Sequence, residues 1–366
     1  MRFSLVGLLR VALLFVGASG VLAWSIGRTS VEGSAAHVER RVASNPPVNL
    51  SRVFFDTFDT TTRWLDPATG SVRVVKLPQG EQLDFASCAP WVDEEGEAPV
   101  VGRWMRKTTL GSNGVPLASG ILMMKYPSGT IVERIETDVI PVGRPCWLPD
   151  DSDRVVFAGG EGTLHLLDLS APEGYRRPSP ITWRIPTPGA GPVFITDPCV
   201  AGVPGPEGID FIACLRSIEK RDGRSIYTPS RLWWLRLDRA ATSVIEAAPL
   251  VETARGTLEI ETRCPTVKVL ADGTRRLAYC RRTNGRDWEL RTADLERNPS
   301  DGGLFLLSEG RALLDSCFAT PPAFSPDGRR VTTMRGEVFK TCELVSREVE
   351  PRVGGLAAAG PAAPGF

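Results

Sequence analysis

Along most of this chain apolar and polar residues alternate with a period of two, not 3.6. Short apolar or alternating runs occupy residues 53–55, 71–77 (SVRVVKL), 121–126, 154–157, 163–169, 181–185, 232–237, 288–295 and 338–345. Gly, Pro, Asp and Asn bound them, as they bound strands in an all-β fold. After the amino-terminal stretch no segment of 15 residues has the spacing of an amphipathic helix. Several strands end on an acidic turn, at Asp66, Asp168 and Asp238. An aspartate there accepts from a backbone N–H two residues on and closes a hairpin.

The runs also repeat. Cys88, Cys146, Cys199, Cys264 and Cys317 recur at intervals of 58, 53, 65 and 53 residues, each followed by an apolar run, a Pro/Asp/Gly turn and a second apolar run. A period of that length marks a chain of supersecondary units that bury their faces only against one another. Four units start at Cys88, Cys146, Cys199 and Cys264, a partial one runs over 51–80, and another starts at Cys317 without a clear last strand. The expectation is an all-β fold, a β-propeller of five to six four-stranded blades over residues 51–350, with six preferred. A strand from 51–60 is expected to pair with the final unit and close the ring, and the five cysteines are expected at equivalent places on innermost strands.

The ends read differently. Residues 1–26 carry Arg2, Arg10, an apolar stretch over 11–26 and a small-residue site at Val21-Leu22-Ala23. They fit either an export signal cleaved after Ala23 or an uncleaved anchor over 4–26, and both place the body in the periplasm or outside the cell. Residues 27–50 form a polar linker, and 351–366, almost wholly Gly, Ala and Pro, are expected to be a disordered tail. Lys+Arg and Asp+Glu are both 43, so no global field steers the chain to nucleic acid, and membrane contact is expected only through the amino-terminal segment. In an oxidising compartment eight cysteines suggest disulfides. Counting outward from the turns pairs Cys199 with Cys214 and Cys264 with Cys280.

At Phe324-Ser325-Pro326-Asp327-Gly328-Arg329-Arg330-Val331 the chain resembles the Ser-Pro-Asp-Gly repeat of WD-like propellers in TolB-type periplasmic proteins. Residues 271–277 and 148–155 are weaker copies, and the Gly-His and Trp-Asp pairs of true WD repeats are absent. The resemblance implies the hairpin and the architecture, not an activity, since the motif marks a turn. Gly328 and Gly273 should supply the positive φ of those turns.

Catalytic chemistry is sparse. The two histidines are His37, in the linker, and His165, in an apolar strand, which leaves no triad and no histidine-rich metal site, and no cofactor is indicated. Asp93-Glu94-Glu95-Gly96-Glu97 and Asp150-Asp151-Ser152-Asp153 lack the spacing of a calcium loop and read as solvated turns. Asp84, Arg144, Asp197, Glu261, Arg263 and Asp315 lie one to four residues ahead of the recurrent cysteines, where a ring would gather them around one channel mouth. These six are the candidate ligand-binding set. The expected function is an exported non-catalytic propeller that binds an envelope or extracellular protein or glycan. The alternative is a glycan-active enzyme using channel-mouth carboxylates, two of them ~5 to 10 Å apart in a deep pocket.

Overall fold

The structure, a computed structural model, describes residues 53–348 except 57–61, 66–71, 75, 79, 90, 94, 108–115, 150–152, 160–161, 186–192, 203–204, 222–223, 251–258, 301, 308–309, 325–327 and 338–340. The amino-terminal segment, the linker, the Gly/Ala/Pro tail, Asp66 and the turn residues Ser325 to Asp327 lie outside the described residues, as does the side chain of Cys342.

Among the described residues every regular element is a strand. The first sheet holds β1 (Val53–Asp56), β2 (Thr62–Leu65) and β3 (Val72–Val74). A four-stranded antiparallel blade follows, with β4 (Glu81–Cys88), β5 (Ala98–Lys107), β6 (Pro116–Tyr126) and β7 (Ile131–Glu136) in sequence order. The third comprises β8 (Val142–Trp147), β9 (Arg154–Ala158), β10 (Leu164–Asp168) and β11 (Ser179–Trp183). The fourth has β12 (Val193–Val200), β13 (Ile209–Arg221), β15 (Arg231–Leu237) and β16 (Ser243–Pro249), with β14 (Arg224–Tyr227) extending the far end of β13. The fifth has β17 (Ile260–Val269), β18 (Arg275–Thr283), β19 (Trp288–Arg297), β20 (Leu304–Leu306) and β21 (Arg311–Cys317). β22 (Ala323–Phe324), β23 (Arg330–Glu337) and β24 (Thr341–Glu348) make the last, partial sheet.

The first strands β4, β8, β12 and β17 stand side by side in that order, so the sheets radiate from a common axis as propeller blades. The fold is therefore an all-β propeller, with six sheets among the described residues, the first and last partial. Apolar faces meet between blades: Leu148, Val156 and Leu164 of the third pack on Phe211, Leu235 and Val244 of the fourth. Ile212, Leu232 and Trp234 of the fourth pack on Leu277, Tyr279 and Leu295 of the fifth. Burial of this kind, worth about 25 cal/mol per Å² of apolar surface, is what a single small sheet lacks. At the perimeter the third and fourth blades are also clasped, because β11 runs parallel to β16 with Thr182 beside Ser243 and Trp183 beside Val244.

Two sequence expectations need correction. β1 folds back on β2, with Val53 opposite Leu65, and among the described residues pairs with no strand of the last sheet. Its hydrogen-bonding edge goes to the nearest partner in sequence, so the ring is not closed by that strand. The recurrent cysteines are also not register-equivalent. Each of β4, β8, β12 and β17 is broken by a bulge, and at the break Phe85, Gly143, Asp197 and Cys264 take φ between 51° and 75°. An inserted residue shifts the count on one strand only. Thus Thr196 and Arg263 are the equivalent positions opposite Cys214 and Cys280, Asp197 is equivalent to Cys264, and Cys199 to Thr266. Cys317 ends β21, paired to Trp288 of β19 and bridged to Arg335 of β23, and so lies on no innermost strand.

The same bulges undo the expected disulfides: all seven described cysteines are free. Cys199 faces Ile212, two residues from Cys214. Cys264 is itself the bulge residue, and its thiol donates to the Ala319 carbonyl at 3.1 Å. Cys280 lies between Cys264 and Cys317, in hydrogen-bonding contact with both thiols.

The turns follow expectation. Gly273 has φ of 82° and Asp272 accepts from the Thr274 N–H at 2.9 Å, while Gly328, joining β22 to β23, has φ of 68°. Asp168 accepts from the Ser170 N–H two residues on, at 2.9 Å. Asp238 instead reaches Thr242 N at 2.7 Å and Ser243 Oγ at 2.6 Å, across the whole β15–β16 turn.

Candidate ligand-binding face

In an antiparallel blade the start of the first strand and the end of the second lie at the same end of the ring. Residues ahead of the bulges on β4, β12 and β17 therefore gather at one mouth with the late residues of β5, β13 and β18. The registers there pair Asp84 with Arg103, Phe194 with Arg216 and Glu261 with Arg282. In each, a first-strand side chain faces an arginine on the second strand.

Of the six expected residues, the structure bonds Arg144 to Asp197 and Glu261 to Arg263, while Asp84 is paired within its own blade to Arg103 and Asp315 stands on β21. Asp84 is buried and bound to Arg103 Nη2 at 2.5 Å, with Gln82 Nε2 donating to both its oxygens at 2.8 and 2.9 Å. Arg103 also lies over the Phe85 ring, 4.8 Å from its centroid. Glu261, also buried, takes Arg263 Nη2 on one oxygen and Arg282 Nη2 on the other, both at 2.6 Å. Those two guanidiniums lie 5.5 and 4.8 Å from the centroid of Trp288. Asp315 is an exposed residue of β21.

Arg144 is deeper. Its backbone N–H donates to Asp197 Oδ1 at 3.2 Å, and its guanidinium reaches beyond the fourth blade, giving to Thr266 Oγ1 at 3.5 Å and to the Pro321 carbonyl at 3.1 Å. Gly143 permits this approach, since a Cβ there would meet Asp197 Oδ1 at 2.5 Å. Arg144 thus ties the third blade to the fifth and to the segment that leads into β22.

Sequence reading missed Arg103, Phe194, Arg216, Tyr227, Arg282 and Trp288. The signal was present in Cys214-Leu-Arg216 and Cys280-Arg-Arg282, a Cys-x-Arg repeat at one register position of the second strand. Its meaning depends on the register between first and second strands, which pairs residues about 20 positions apart. Arg216 lies 4.6 Å from the Phe194 centroid and 4.2 Å from that of Tyr227, and burial followed by the field of Arg263 pushes its pKa down. This is a guanidinium in a cation–π bracket.

Other candidates resolve into structure. His165 is buried, stacks on Phe157 at 5.4 Å and has Nε2 2.9 Å from Thr163 Oγ1, and burial lowers its pKa. The oxygens of Asp93, Glu95 and Glu97 converge, but Lys125 Nζ already sits on Glu95 at 2.6 Å and on Asp93 at 3.0 Å. Trp147 and Trp234 are buried between blades, donating to the Ser87 carbonyl and to Asp210. A concavity of 690 Å³ lies at the perimeter of the second and third blades, lined by Glu133, Arg134, Glu136, Asp138, Arg176 and Arg177. It contains none of the six expected residues, and Arg176 there is ion-paired to Glu133.

No protein-family model matches the chain, and no curated protein matches it in sequence. Among solved structures it is similar to TolB from Acinetobacter baumannii, at 16% identity and a TM-score of 0.45, over 84% of this chain and 64% of that one. It is also similar to an endo-arabinase from Bacteroides thetaiotaomicron, at 11% identity and 0.46, over 75% and 96%. A variant of the Synechocystis apocarotenoid oxygenase matches at 13% identity and 0.43, over 80% and 64%. The chain thus spans about two thirds of the length of TolB and of the oxygenase.

Proposed function

We propose that this propeller is an exported, non-catalytic binding protein that takes a protein or cell-envelope ligand at the mouth where Asp84, Glu261, Arg103, Arg216, Arg263 and Arg282 gather. One observation carries the reading: Asp84 and Glu261, which a hydrolase would need as acid and base, are each held in short ion pairs with arginines. Both oxygens of each carboxylate are already taken, at Asp84 by Arg103 and Gln82 and at Glu261 by Arg263 and Arg282, so neither has a free oxygen to offer a scissile bond. Arginine and aromatic side chains, by contrast, are the residue types that anchor interfaces. The apolar residues 11–26, with Ala23 as the cleavage point, support export.

The test is photo-crosslinking of the full chain to envelope extract, comparing the parent with Arg263→Glu/Arg282→Glu and with Arg239→Glu, an exposed site in the turn after β15. Capture lost only in the double variant supports the reading. Release of reducing sugar from envelope polysaccharide, abolished by Glu261→Gln, would instead establish the glycan-active alternative.

A further inference from the structure

The fourth and fifth blades place an arginine at the same register position of the second strand but differ in what faces it. Cys214 and Cys280 occupy equivalent register positions, so Arg216 and Arg282 are equivalent, and so are the residues facing them, Phe194 and Glu261. In the fifth blade the arginine is satisfied internally, since Arg282 Nε and Nη2 bind Glu261 Oε2 at 2.7 and 2.6 Å. In the fourth the place of the carboxylate is taken by an aromatic ring. Among the described residues Arg216 forms no ion pair; it lies on the rings of Phe194 and Tyr227, which are set edge to face at 76°.

The two rings, nearly perpendicular to each other, hold the Arg216 guanidinium between them without offering its N–H groups an acceptor, so those donors are left for a planar, bidentate one. Burial and the nearby Arg263 disfavour the cation, Tyr227 and the more distant Glu261 offset this only in part, and an anion bound directly to Arg216 would relieve the remaining cost. We infer that Arg216 is a ligand site for the carboxylate of an acidic peptide segment, which supplies from outside the group that Glu261 supplies within the fifth blade. The inference rests on the ligand-binding reading of this mouth and names the ligand class. A sugar acid fits less well. Its ring would need an open aromatic face, and the faces of Phe194, Tyr227 and Trp288 already carry Arg216, Arg263 and Arg282.

The test uses the full chain and a fluorescein-labelled decaglutamate peptide, read by anisotropy, with decaglutamine and hexagalacturonate alongside. Binding of decaglutamate alone is expected, weakening with salt. Arg216→Gln should weaken it about tenfold or more, as loss of a charge-assisted bidentate contact does. Phe194→Glu should abolish it by placing an internal carboxylate on Arg216, with the urea midpoint held or raised, so this variant serves even where Arg216→Gln folds poorly. Arg239→Gln should bind as the parent does. Equal binding by Arg216→Gln and by Phe194→Glu, equal binding of decaglutamine, or tighter binding of hexagalacturonate would each overturn the assignment. A crosslinked partner still captured by both variants would overturn the carboxylate assignment and leave the ligand-binding reading intact. Absence of any captured partner would remove that reading whatever the peptide does.

Discussion

Single residues here are set by what faces them across one ladder rung. Asp210 accepts Trp234 Nε1 at 3.0 Å and Arg236 Nε at 3.1 Å, and also pairs with Arg297 of the next blade. Arg236 is only 3% exposed. Asp210→Ala should therefore cost about 1–3 kcal/mol, because Trp234 Nε1 and Arg236 Nε lose their acceptor although Glu207 and Glu246 still face Arg236, read as a lowered urea midpoint. Asp238 shows a milder case. Burial alone would raise its pKa, but bonds from Ser243 and Thr242 hold it below the usual carboxylate value. A folded pKa below the unfolded one gives stability that is present above about pH 4 and lost as pH falls through the folded value. Asp238→Asn should cost about 1 kcal/mol at neutral pH and flatten the acid limb of a stability–pH profile. A midpoint unchanged at pH 7 would exclude this role. The aspartate turns were legible in the sequence because Asx chemistry is local. The partners of Glu261 and Arg216 were not, because they depend on register between strands about 20 residues apart.

At the scale of strands, the bulge is what sequence reading could not see. A recurrent cysteine looked like a recurrent position, yet one inserted residue makes Asp197 the counterpart of Cys264 and carries Cys199 to the place of Thr266. The alternation, the turns and the four complete blades were legible, since each rests on periodicity within a hairpin. The pairing of thiols was not. Burial pushes the Cys146 thiol up to about 11, and raises Cys199 and Cys214 well above the ordinary value. Neighbouring thiols, Cys264 first, raise Cys280 in the same way. Such thiols are poor nucleophiles. In the native protein these four should resist iodoacetamide at pH 8, and all should react once the chain is unfolded in urea without reductant. Mass mapping that finds label only after reduction would instead show bridges.

For the whole molecule, repeats announced a ring before any contact was known, and the seam defied reading because it involves the two least regular units. The perimeter clasp of the third and fourth blades has a consequence for self-association. The outermost strand of every blade offers a row of unpaired N–H and C=O groups on which a second chain could add a strand. β11 and β16 spend those groups on each other, Thr182 N–H bonding the Thr242 carbonyl at 3.0 Å and Arg184 N–H that of Val244 at 2.9 Å. The open outer strand β7 ends on the exposed Glu136, a charge that disfavours stacking against a second copy. Thr182→Pro removes one donor of the clasp and should bare two apolar-backed edges at once. Its signature would be light scattering that rises with concentration and time while the parent stays clear, a propeller turned from a closed body into a template for fibres.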